Sequence, residues 1–153
     1  MLRRLIAPAL ALDLLPGMGA ASEEGAKAPR AMWTAFECGT YAELARKADR
    51  ASDHYATGLD AGRRFYAALE AGTITDEELS QHAPMILGSL NAGPSVDFIL
   101  GRVFHYATDA ARSDVSQEDQ HGLPLPIKDW LLEPELIATK ANMLYSAGNC
   151  DLL

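Results

Sequence analysis

Cysteine is scarce in this chain, and the usual signatures of metal and nucleotide chemistry are missing. Only Cys38 and Cys150 occur among the 153 residues. They form no CxxC or CxxCH, and no histidine–cysteine pair has ligand spacing, so neither a zinc site nor a haem attachment is indicated. His54, His82, His105 and His121 sit on four different segments, and none belongs to an HExxH pair. There is no GxSxG, no phosphate-cradling glycine loop and no dinucleotide fingerprint, so no cofactor and no metal are expected. Alternating apolar runs are also missing. Thr73-Ile74-Thr75 is too short for a strand, which argues against a sheet. No internal repeat is visible. Basic residues are the minority, 13 Lys and Arg against 21 Asp and Glu, and the formal charge is −8. Phosphates would be repelled, so nucleic acid is not an expected partner. Plain solubility is a sufficient reason for the acidity.

What is present is an ordinary globular balance, 48% hydrophobic and 22% charged, in a chain long enough for one domain with a real core. Met1-Leu2-Arg3-Arg4 is a short basic start. Leu5 to Leu15 is mostly apolar, and Gly19-Ala20-Ala21 supplies small residues for cleavage. Residues 1–21 therefore read as a signal peptide. Pro8, Asp13 and the shortness of the run argue against a transmembrane span. An ordinary N-terminal helix is the alternative, but no polar face accompanies these apolar residues. Residues 22–30, small and charged with Pro29, read as a flexible leader. Residues 31–153 form the expected helical domain, periplasmic or secreted.

An all-α fold of about five helices is expected there. Met32 to Ala48 carries Trp33, Phe36, Thr40, Tyr41 and Leu44 on one face. Ala51 to Ala71 buries Tyr55, Leu59, Phe65, Tyr66 and Leu69, with Gly58 and Gly62 on the same face. Two glycines inside a helix cost about 1 kcal/mol each relative to alanine, which is tolerable if another helix approaches closely. Thr75 and Glu78 form a capping box for a third helix running to about Ala83. Pro84 then kinks the chain or opens a short turn through Leu90. Ser95 caps the central helix, whose broad apolar face includes Val96, Ile99, Leu100, Val103, Phe104, Tyr106 and Ala107. Leu123-Pro124-Leu125-Pro126 is an extended arm, pinned by Trp130, Leu131 and Leu132. Pro134 starts the last helix, which Gly148 and Asn149 end before Cys150.

In an exported chain, Cys38 and Cys150 most simply form one disulfide joining the two ends of the domain; two free thiols are the alternative. The best polar constellation is Phe98, Arg102, His105 and Asp109 on the outer side of the central helix. His105 and Asp109 are at i,i+4, so the carboxylate could orient the imidazole, but no nucleophile completes an acid–base unit. Phe98 among these charges suggests a contact surface for a protein partner. A covering loop or helix is the plainer explanation, and a hydrolase-type site using Arg102, His105 and Asp109 is the enzymatic one. No individual partner and no oligomeric state can be read from the residues.

Gly-Pro-Ser-Val-Asp-Phe-Ile-Leu-Gly-Arg-Val-Phe, Gly-Leu-Pro-Leu-Pro and the ending Asn-Cys-Asp-Leu-Leu together resemble a group of small exported proteobacterial proteins without assigned activity. The stretch Tyr55-Ala-Thr-Gly58-Leu-Asp60-Ala61 is similar to the aromatic-x-x-Gly-x-Asp-Ala helix of immunity proteins of the Rap1a/Tai type. That second resemblance implies a protective role against amidase effectors in the periplasm.

Overall fold

The computed structural model describes residues 18–153, which form six α-helices and two short 3-10 turns. The signal-peptide reading of residues 1–21 falls largely outside the described residues. Helix α1 spans Met18–Leu44 and α2 spans Ala48–Glu70. A tight turn with Arg46 at φ 64° joins them into a hairpin. Helix α3 is Asp76–His82, α4 is Leu87–Leu90 and α5 is Val96–Ser116. After a pinned arm with a 3-10 turn at Ile127–Asp129, α6 runs Pro134–Ala147, and a last turn covers Cys150–Leu152. The expected all-α fold closed by one disulfide is the one observed. No strand occurs among the described residues, only an isolated bridge between Glu118 and Pro124.

The long α1 organises the rest, packing on α2, α3, α5 and α6. Residues 22–30, read from the sequence as a flexible leader, fall within its described span. That stretch is helical, and Ala28 and Pro29 are buried. A Cβ on Gly25 would lie against Ala68 and Ile74, so the early turns of α1 pack beside the end of α2. Burial there outweighs the lost backbone donor of Pro29.

Local start signals act as read. Thr75 and Glu78 make the reciprocal capping box, Ser95 accepts from the Phe98 N–H, and Pro134 opens α6. The main core gathers Met32, Phe36, Phe65, Leu87, Leu90, Leu100 and Val103, with Trp33, Tyr55 and Phe104 packed against it. Two glycines permit this density. A Cβ on Gly58 would enter the Phe36 ring, and one on Gly62 would meet Leu100 and Met32. Val96 and Tyr106, expected on the buried face of α5, are exposed. Among the described residues no helix is long and apolar enough to cross a membrane.

Candidate functional site: two faces of the central helix

Helix α5 carries one face at its start and another at its end. Near the start, Arg102 turns back onto the preceding loop. Its guanidinium donates to the carbonyls of Ala92 at 2.6 Å, Leu90 at 3.1 Å and Ser89 at 3.4 Å. These carbonyls lie at and just past the end of α4, where helices leave acceptors unsatisfied. Phe98 is 50% exposed, and its ring lies over Gly93, whose missing Cβ makes the room. His105 and Asp109 are exposed, and among the described residues no hydrogen bond joins them. The His105 ring instead stacks edge-on with Tyr106 at 5.5 Å. The four residues therefore share a helix side but do not act as one unit. Arg102 and Phe98 hold the α4–α5 loop, while His105 and Asp109 face outward.

At the opposite end of α1, Cys38 and Cys150 are bonded, with Cα atoms 5.6 Å apart. Beside them Tyr145 is fully buried. Arg50 Nε donates to its hydroxyl at 3.1 Å, and His54 Nε2 lies 3.0 Å from the same oxygen. With Arg50 donating, the hydroxyl either donates to His54 Nε2 or accepts from it, as the imidazole tautomer sets. Burial, aided by the Arg50 charge, holds the His54 pKa below its ordinary value. Lys47 Nζ sits 4.1 Å over the Tyr145 ring. This cluster ties the start of α2 to the end of α6.

A groove of about 710 Å³ opens between the end of α5, the arm and α6. The arm is pinned by backbone bonds, Leu125 N to Gln117 O at 2.7 Å and Leu131 N to Ser116 O at 2.8 Å. Trp130 Nε1 adds a bond to the Leu125 carbonyl at 3.1 Å. As expected, Trp130 fastens the arm, but Leu132 points away and is 79% exposed. The groove is lined by Leu125, Leu131, Leu136, Met143, Leu144 and Ala147, with Asp114, Glu118, Asp119 and Lys140 among its polar residues. Asp114 accepts from the Tyr41 hydroxyl at 2.7 Å. Burial and that bond push the Tyr41 phenol well above its usual range. Glu37 stands close behind; burial raises its carboxyl, opposed by the bond from Trp33 and reinforced by Asp114.

Sequence reasoning missed this groove. Helix α6 carries two apolar stripes, and only one packs inward. Ala141 and Tyr145 are buried, whereas Leu136 is 50% and Met143 64% exposed. Helical spacing separates 136, 140, 143 and 147 from 137, 141 and 145, which was the available signal. Among the described residues no group of three His, Cys, Asp or Glu side chains could hold a metal ion. No protein-family model, curated protein or solved structure matches the chain.

Proposed function

We propose that this chain is a small exported binding protein that seats a partner in the groove between α5, the arm and α6. The carrying observation is that groove, with its apolar lining and carboxylate-rich polar residues on a scaffold closed by a disulfide. A chamber of this size is within the range of ordinary ligand sites, and exposed large apolar side chains beside polar ones are typical of contact surfaces. The disulfide fits an oxidising compartment, periplasmic or secreted. The resemblance of the Tyr55–Ala61 stretch to immunity proteins supports a protective or inhibitory role. The groove supports this reading better than the outer face of α5, where Arg102 already spends three of its five donors on the preceding loop.

The test is paired surface variants, Met143→Asp and Phe98→Asp, each used to recover partners from the exported fraction of the native host. Loss of the recovered partner with Met143→Asp and its retention with Phe98→Asp is expected. The reverse pattern would move the contact to the start of α5.

A further inference from the structure

The lining of the groove carries more information than its apolarity. Along α6 the lining residues are Leu136, Thr139, Lys140, Met143, Leu144 and Ala147. The positions 136, 139/140, 143/144 and 147 recur every three or four residues, the spacing of one helix side. From Leu136 to Ala147 this stripe is roughly 16 Å long at 1.5 Å per residue, about three turns of a facing helix. Leu125 and Leu131 belong to the arm, so the lining is apolar on more than one side.

Charge then selects among occupants. Asp114, Glu118 and Asp119 stand against the single ammonium of Lys140. Lys140 donates to the Glu118 backbone carbonyl, not to a carboxylate. Asp119 is engaged by the N–H groups of His121 and Leu123. Asp114 uses one oxygen for Tyr41. Among the described residues no hydrogen bond or ion pair occupies the Glu118 carboxylate or the second Asp114 oxygen.

We propose that this groove docks a basic amphipathic helix of a partner protein. Its apolar side chains at i, i+3 or i+4 and i+7 rest on Leu125, Leu131, Leu136 and Met143, and its lysines or arginines meet Glu118 and Asp114. The proposal rests on the reading of the groove as a binding surface. A second copy of this chain is a poor occupant, because two chains of formal charge −8 repel each other.

The full chain is titrated into three labelled peptides of about fourteen residues. They share one leucine pattern at helical spacing and carry lysine, glutamine or glutamate at every other position. Fluorescence anisotropy reports binding. The lysine peptide is expected to bind most tightly, with affinity falling as salt is raised, and the glutamate peptide to bind on the order of tenfold or more weaker. Met143→Asn, which removes the apolar contact without adding charge, should weaken the lysine peptide on the order of tenfold without shifting the thermal melt. Glu118→Gln should weaken the lysine peptide several-fold and leave the glutamine peptide unchanged. Glu70→Gln, an exposed change on α2, should alter neither. Equal binding of the lysine and glutamate peptides overturns the proposal. So does failure of the lysine peptide to bind, or an equal effect from Glu70→Gln. Binding of all three peptides that Met143→Asn abolishes would sink the charge preference and leave the groove as a binding surface. Binding indifferent to Met143→Asn removes both.

Discussion

Arg102 shows how a side chain can look functional in sequence and be structural in the fold. Its place beside Phe98, His105 and Asp109 on one helix side is legible from spacing alone. That its guanidinium turns back to Ser89, Leu90 and Ala92 is not, because it depends on where the preceding loop folds. Arg102→Ala should therefore cost about 1–2 kcal/mol in urea unfolding, because it removes charge-assisted bonds of which only the one to Leu90 is part-buried. Phe98→Ala, with half its side chain already in water, should cost about 1–2 kcal/mol, less than a core phenylalanine. An Arg102→Ala variant as stable as the parent would show the clamp to be incidental. His54 gives a pH dependence of definite sign. Its folded pKa lies below the ordinary value near 6.5. Above that value neither folded nor unfolded chain carries the proton. As pH falls through it, the unfolded chain takes up a proton that the folded chain resists, so stability declines toward acid. Carboxylates add to any acid loss, so the informative measurement is a comparison. His54→Gln should be less stable than the parent at neutral pH and show a flatter decline between roughly pH 6.5 and 5. Parallel curves for the two proteins would remove His54 as the cause.

The helices divide by the kind of signal that sets their ends. Thr75 with Glu78, Ser95 and Pro134 are local chemistry, and α3, α5 and α6 start where those residues say. Helix α1 has no comparable cap near Met32. The turns before Met32 come with burial of Ala28 and Pro29 by distant segments, so no window of sequence contains the cause. The glycines of α2 lie between these cases. Their shared face was legible, and so was the inference of a close neighbour. Which neighbour was not: Gly58 faces Phe36 of α1, while Gly62 faces Met32 of α1 and Leu100 of α5. Gly62→Leu forces a branched side chain into that junction and should destabilise by about 1–3 kcal/mol, read as a lower urea midpoint with unchanged slope. Gly101, where an added Cβ meets nothing, is the control, and Gly101→Ala should be neutral or slightly stabilising. Equal stability of Gly62→Leu and the parent would mean that α1, α2 and α5 do not meet there.

For the whole molecule, the disulfide is the constraint of longest range. It joins residues 112 apart, and two cysteines in a chain read as exported made that pairing readable without geometry. Replacing both by serine should cost on the order of 4 kcal/mol and leave the helical content of the folded state intact. Intact mass of the protein from its native host should show chain cleavage near Ala20–Ser22 and no free thiol; a species retaining Met1 in the cytoplasmic fraction would contradict export. The groove was the least legible feature. It needs the C-terminal turns of α5, an arm held by backbone bonds and the second apolar stripe of α6, three segments that only the fold brings together. It also carries the account's functional claim, and the direct measurement is site-specific photo-crosslinking in the native compartment. A photoreactive side chain is placed at position 143 in one protein and at position 98 in another, both at exposed sites. The account predicts a discrete adduct of one partner from position 143 and none from 98. An adduct from 98 alone would contradict it.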